Sequence, residues 1–183
     1  MKAGEMSEML KKKWEIMLVS VLVLSGFLFS GCASVISRGT LKEVDHNLRF
    51  ENILENPEAY RGRIVLLGGD VIDTENFSDE TRIVVLARPL EYRDKPAAED
   101  VSKGRFIISS PGFLDPAIYR PGRKITVVGT VVGKEVLPLD KIEYTYPVIA
   151  QKELYLWPLE GYPGKATSVY IGIGGGVGIG VRR

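Results

Sequence analysis

From residue 63 to 156 the apolar positions of this chain come in short runs or at every second place, bounded by Gly, Pro and Asp, the pattern of short β-strands. Arg63 to Thr74 holds Ile64, Val65, Leu66 and Leu67, then Gly68-Gly69, then Val71 and Ile72. Glycines inside a strand predict a bulge, a sharp bend or close backbone approach. Thr81 to Ala87 is rich in Ile and Val, and Pro89 ends it. Gly104 to Ser109 predicts a third strand through Phe106, Ile107 and Ile108, and Lys124 to Val132 a fourth with Gly129 inside it. Ile142 to Leu156 holds the fifth, where Pro147 calls for an edge or a bend. Glu91 to Ser102 is charged, contains Pro96 and reads as a surface loop.

Helical signals are short. Leu48, Ile53 and Leu54 are spaced like one helix face. Asn56-Pro57-Glu58 offers a cap, a proline suited to the first helical position and an acid at the positive end of the helix dipole. Gly62 then stops the turn, which predicts helix over Pro57 to Tyr60. Phe113-Leu114-Asp115-Pro116 repeats that logic, with Asp115 as cap and Tyr119 closing the turn. The two segments form an echo. Tyr60-Arg61-Gly62-Arg63 precedes Ile64 to Leu67 and Gly68, and Tyr119-Arg120-Pro121-Gly122-Arg123 precedes Ile125 to Val128 and Gly129. Two strongly bent strands among five short ones suit a small closed barrel. The expected class is all-β with short helical turns, an OB-like barrel of five or six strands, with an open β-sandwich as the alternative.

The N-terminus has a different rhythm. Lys11, Lys12 and Lys13 precede an apolar run from Ile16 to Phe29, then small residues Ser30 and Gly31, then Cys32. That order is the secretory signal pattern. The stretch before Met9 is dispensable to it, so Met1, Met6 and Met9 are all candidate starts. Phe29-Ser30-Gly31-Cys32 resembles the bacterial lipobox, with Phe29 where Leu is usual. The resemblance implies cleavage between Gly31 and Cys32, a diacylglyceryl group on the Cys32 sulfur and an acyl chain on the new amino terminus. Ala33 rather than Asp follows the cysteine, which under the lipoprotein sorting rule implies the outer membrane. The alternative is an uncleaved anchor helix, since Ile16 to Ser37 carries no charge and is long enough to span a bilayer.

Composition narrows the classes. The 183 residues include 24 Lys+Arg and 23 Asp+Glu, for a net charge of +1. Without clustered positive charge, nucleic acid is not an expected partner. One cysteine excludes an internal disulfide, and with one histidine leaves no zinc site of the usual kind. No metal or other cofactor is expected. No G-x-S-x-G elbow occurs, and His46 lies beside the mixed-polarity stretch after Cys32, poorly placed for a triad. The glycines of the tail do not fit G-x-G-x-x-G.

Other candidates have a functional and a structural reading. Asp70, Asp73, Glu91, Asp94 and Asp115 could pair for glycoside hydrolysis, but Asp115 is a cap and the others flank strands or sit in loops. Asp94, Glu99 and Asp100 match no EF-hand loop. Arg61, Arg63, Arg120 and Arg123 could form an anion patch or be solvated strand ends with local carboxylate partners. Tyr144, Tyr146, Tyr155 and Trp157 could stack bases or sugars, or pack on the barrel or under the tail. In the tail, Val169, Ile171 and Ile173, then Val177, Ile179 and Val181, alternate largely with glycine. That predicts a strand with one bare face, adding to the barrel edge or pairing between copies.

The ordered series from Asn56-Pro57 with Tyr60-Arg61-Gly62 resembles the Slp family of outer-membrane lipoproteins, the starvation-inducible type. It continues through Gly68-Gly69 with Ile72, Thr81 to Pro89-Leu90, Gly104-Arg105-Phe106 and Phe113-Leu114-Asp115-Pro116. Gly122-Arg123, Thr126 to Gly129, Tyr144 to Val148 and Leu156-Trp157 complete it. Family members commonly have Trp before the double glycine, where this chain has Leu67. The resemblance implies the outer membrane, a role in envelope maintenance under stress or in stationary phase, and no catalytic residue. The expected organisation is a signal peptide over 1–31, a lipidated tether over 32–44, a β-barrel over 45–160 and a Gly-rich tail over 161–183. The expected function is a non-enzymatic lipoprotein anchored by Cys32 on the periplasmic side. A tethered module binding a small molecule or oligosaccharide is the alternative. Expected partners are membrane lipid, through the acyl chains, and an envelope protein or a second copy through 165–183.

Overall fold

A computed structural model describes residues 11–15, 17, 34–98 and 100–159, and the backbone of 168–170. Residues 11–15 and 17 are helical and belong to a separate unit, Met1–Ala33. The second unit begins at Ser34. It contains helices α1 (Arg38–Leu41) and α2 (Phe50–Glu55) and 3-10 turns at Pro57–Tyr60 and Tyr92–Asp94. Its strands are β1 (Ile64–Asn76), β2 (Glu80–Ala87), β3 (Arg105–Pro111), β4 (Lys124–Leu139), β5 (Ile142–Leu156) and β6 (Ser168–Tyr170).

β1 lies between β2 and β4, β2 pairs with β3 and β4 with β5, all antiparallel. A parallel pairing of β3 with β5, from Ile107 opposite Val148 to Ser109 opposite Ala150, closes the circuit. The result is a closed five-stranded barrel, and the open sandwich is excluded. Alternate side chains fill it: Val65, Leu67 and Val71 of β1 meet Ile83 and Val85 of β2, Phe106 and Ile108 of β3, Ile125, Val127 and Val131 of β4, and Ile149, Leu154 and Leu156 of β5. Phe50 and Ile53 of α2 join this core from before β1, and Leu114 and Tyr119 from the β3–β4 connection.

The sequence echo is a local two-fold between β1 and β4. Gly62 N–H donates to Val131 C=O at 2.7 Å, and Val131 N–H to Arg63 C=O at 2.9 Å. Gly122 N–H donates to Val71 C=O at 2.9 Å, and Val71 N–H to Arg123 C=O at 2.8 Å. Gly62 and Gly122 have φ of 85° and 83°, so both turns need the left-handed backbone that glycine supplies at no steric cost. The structural counterpart of Gly129 is Gly69, not Gly68. A Cβ on Gly69 would overlap the Leu86 carbonyl oxygen of the next strand, and one on Gly129 would overlap that of Ala150. Gly68 serves another purpose: Leu90 and Pro96 pack on it, their side chains 2.8 and 3.1 Å from where a Cβ would stand.

Several boundaries differ from expectation. β4 runs on to Leu139 because the chain bulges between Val131 and Gly133 and then pairs with β5 down to the turn at Asp140. Pro147, opposite Lys134, sits just past that bulge. The 3-10 turn at Pro57–Tyr60 forms as predicted, but Asn56 contributes no side-chain cap; its carbonyl accepts from Ala59 N–H at 3.2 Å. Asp115 does cap, its Oδ1 accepting from Ala117 N–H at 2.8 Å. The 91–102 segment is not simply surface: Leu90 bridges to Pro96, and Ala97 is buried.

Gly69→Ala should therefore cost about 2–4 kcal/mol, because backbone rather than a movable side chain blocks the new methyl. Gly39→Ala, in α1 with nothing within 4 Å, should be neutral or slightly stabilising. Urea unfolding of the two variants beside the parent measures both.

Candidate functional site

Gly31 and Cys32, the expected cleavage and lipid-attachment residues, lie outside the described residues. Among the described residues no helix is long and apolar enough to cross a membrane. Ser34–Val44, expected from its composition to be a tether, lies folded on the outer wall of the barrel. Ile36 and Val44 are buried against Val128, and Val35 and Leu41 pack with Ile64, Leu66 and Tyr155 in the same cluster. The wall offers these apolar contacts because residues that alternate with the interior set point outward.

A polar clamp fixes the segment. Glu153, opposite Val128 on the outer face of β5, is 1% exposed. Its Oε1 accepts from Ser37 N–H and its Oε2 from Ser37 Oγ–H, both at 2.8 Å. Ser37 is also the N-cap of α1, its Oγ accepting from Thr40 N–H at 3.3 Å. A buried carboxylate is tolerable only when hydrogen-bonded, and Ser37 supplies these two bonds to Glu153. At the start of the segment, Ser34 Oγ–H donates to the Asp94 carboxylate. At its end, Lys152 Nζ is 2.7 Å from Glu43 Oε2.

Neither Ser37 nor Glu153 was singled out in the sequence. The S-x-x-T spacing of Ser37 and Thr40 is a readable cap signal. The burial of Glu153 has no local signature, because Lys152-Glu153 reads as a solvated pair.

The predicted clusters are dispersed. Asp70 accepts from Arg88 at 2.8 Å and Lys124 at 3.2 Å. Asp94 is engaged by Ser34, and Asp115 by its own turn. Glu99 lies outside the described residues, and among the described ones no group of three His, Cys, Asp or Glu could hold a metal. His46 is exposed. Because β1 and β4 are antiparallel, Arg61 and Arg63 lie at the opposite end of their ladder from Arg120 and Arg123, so the four do not form one anion patch. Arg61 pairs with Glu58, and Arg63 with Asp45, whose carboxyl the Asn47 amide and Arg63 hold below its ordinary pKa.

Arg123 differs from these. Its guanidinium donates to the Ile118 and Trp157 carbonyls at 3.0 and 2.8 Å, has no carboxylate partner among the described residues, and is pushed down in pKa by burial and by Arg120 nearby.

The aromatics of β5 split into two pairs. Tyr144 and Tyr146 meet edge to face at 4.8 Å, with Tyr146 buried against Ile107 and Val148. Tyr155 and Trp157 meet at 4.9 Å, with Tyr155 under the Ser34–Val44 segment. There is no continuous stacking face. Of the tail, the backbone of β6 pairs with β5 from Glu153 opposite Tyr170 to Tyr155 opposite Ser168, on the β5 edge that β3 occupies earlier. The rest of 161–183 lies outside the described residues.

One open cleft, of about 780 Å³, lies where β3 and β5 part. Phe77, Asp79, Glu80, Ser109, Gln151 and Lys152 line it. Gln151 is 8% exposed, and among the described residues neither of its amide atoms has a hydrogen-bond partner; Ser110 Oγ, on the neighbouring strand, also lacks one there. Hydrogen bonds from Ser109 and Arg82 hold Glu80 ionised below its ordinary pKa.

Residues 29–173 match the family profile described as "Outer membrane lipoprotein Slp family". The chain is 29% identical to "Outer membrane protein Slp" of Escherichia coli K12 over 75% of its own length and 74% of that protein's. It is 28% identical to "Uncharacterized lipoprotein YeaY" of the same organism, over 72% of this chain and 68% of that one. It is 36% identical to an uncharacterized Haemophilus influenzae protein, over 53% of each. No solved structure matches.

Ser37→Ala removes both the cap and a bond to a buried carboxylate, and should cost about 2–3 kcal/mol. Urea unfolding measures the loss, and limited proteolysis should find new cleavage within 34–44.

Proposed function

The chain belongs to the Slp family of outer membrane lipoproteins, and from that premise we propose that it is a non-enzymatic lipoprotein of the cell envelope. It is moored by acyl chains on Cys32, faces the periplasm and serves envelope maintenance under stress or in stationary phase. The observation that carries the anchoring is that the family match begins at residue 29 and takes in Phe29-Ser30-Gly31-Cys32. The chemistry is coherent: small residues at 30 and 31 admit a peptidase, and a thiol takes the diacylglyceryl group as a thioether. Each buried methylene contributes about 0.8 kcal/mol, so three acyl chains make release negligible. The filled barrel interior and the dispersed carboxylates support a structural rather than a catalytic role.

The cleft at the β3–β5 seam favours the second reading, a membrane-moored module for a small molecule or oligosaccharide. The buried Gln151 amide, without a partner among the described residues, is what a polar ligand in the cleft would satisfy. Glu43, Asp79 and Glu80 along the same cleft disfavour a phosphate backbone as its occupant. For macromolecular partners, the reading is an envelope protein or a second copy bound through 165–183. The β6 pairing supports strand addition by this segment.

Cys32→Ser should abolish the acyl mass and remove the protein from the outer-membrane fraction, leaving it uncut at the inner membrane or free of lipid. Unchanged maturation and localisation on envelope fractionation would overturn the anchoring. Deletion of 165–183 should change the oligomeric state or the set of crosslinked envelope proteins, read by crosslinking in intact cells; an unchanged pattern removes the tail as a partner surface.

A further inference from the structure

A lipidated cysteine is usually pictured at the start of a spacer, but this chain has almost none. The folded body begins at Ser34, two peptide units after Cys32, a reach of about 7 Å at most. The body cannot stand away from a bilayer that holds the acyl chains, and the surface beside Ser34 is brought to the headgroups.

That surface is continuous through hydrogen bonds. Ser34 donates to Asp94, Thr126 Oγ1 donates to the Asp94 carbonyl at 2.7 Å, and Trp157 Nε1 donates to Thr126 Oγ1 at 2.9 Å. Arg123 in turn donates to the Trp157 carbonyl. The 3-10 turn over Asp94 presents Tyr92, 68% exposed, beside Arg93. Lys95 lies over the Trp157 ring at 5.9 Å. A cavity of about 160 Å³ opens here, lined by Lys95, Arg123, Lys124, Trp157 and Leu159.

An exposed Tyr and a half-buried Trp with flanking cations are side chains that favour a bilayer interface, where rings meet the acyl boundary and cations meet phosphate. Glu91 and Asp94 are the carboxylates of this turn, and Asp94 is already engaged by Ser34. Among the described residues Arg123, a half-buried cation, is held by carbonyls without a carboxylate, the counter-charge that a phosphodiester would supply.

We propose that the surface formed by Tyr92, Arg93, Lys95, Arg123, Trp157 and Leu159 rests directly on the phospholipid headgroups, so that the barrel is seated on the membrane in one orientation. This rests on acylation of Cys32. The β4–β5 hairpin then points away, since Ile142 stands at the other end of the fifteen-residue β5 from Trp157.

The test uses the acylated full chain in vesicles of phosphatidylethanolamine and phosphatidylglycerol. Tyr92→Cys and, separately, Ile142→Cys take a polarity-sensitive fluorophore; both residues are more than 60% exposed, so folding is spared. The probe at 92 should shift to the blue and be quenched by aqueous iodide about threefold less than the probe at 142. Equal quenching of the two, or shielding of 142 instead, in protein that floats with the vesicles overturns the proposal while leaving the anchor intact. Protein that carries no acyl mass and fails to float overturns the anchor, and the proposal with it.

Discussion

A five-stranded sheet closes on itself only if some of its strands turn sharply, and here that constraint falls on Gly69 and Gly129. Each stands where the next strand's carbonyl leaves no room for a Cβ. Each lies in one of the two strands, β1 and β4, that pair along the local two-fold. Because both strands coil tightly, the interior is narrow enough for the Val, Ile and Leu side chains of the strands, with Phe106 and Phe50, to fill it. A filled interior moves every question of function to the outside of the barrel.

The outer wall is where this chain departs from a bare barrel. Outward residues of β1, β4 and β5 include Ile64, Leu66, Val128 and Tyr155, which would be an apolar patch if left uncovered. Ser34–Val44 covers them. Next to it, Leu90 and Pro96 settle on Gly68, where the missing side chain makes room. The two covering segments meet at Ser34 and Asp94. The double glycine therefore does two jobs on two faces: Gly69 lets the strand approach its neighbour, and Gly68 seats the loop.

What could be read from the sequence were features with a local cause. Alternation set β5 at its observed limits, proline with its neighbours placed the turn at Pro57–Tyr60, and the echo around Gly62 and Gly122 announced two strands with one geometric task. What could not be read depends on distant partners. Ile36 and Val44 are too far apart to form a periodic pattern, and it is Val128 and its neighbours on the distant outer wall that make them core. Glu153 looks solvated beside Lys152 until Ser37 folds over it. The extension of β4 past Gly133 needed the opposing half of β5 to be in register. The proposed anchor, Cys32, rests on a signal of another kind: a lipobox is recognised by enzymes as an extended sequence, so its signal is linear.

The covered wall and the open seam divide the barrel's surface into unlike halves. OB-like barrels commonly bind through the strand 2–3 face and the loops joining strands 1 to 2 and 4 to 5. In this chain the first of those loops, through Phe77 and Asp79, lines the cleft together with Ser109 and Pro111 of β3. The second is carried far off at the tip of the long β4–β5 hairpin, where Val136, Leu137 and Ile142 are exposed. A body held close to lipid beside Ser34 would present that hairpin outward as its most distant point. Apolar side chains displayed on a two-stranded arm are better placed to meet a macromolecule than to enclose a ligand. If the short link from Cys32 seats one surface on the membrane, it gives the opposite one a direction.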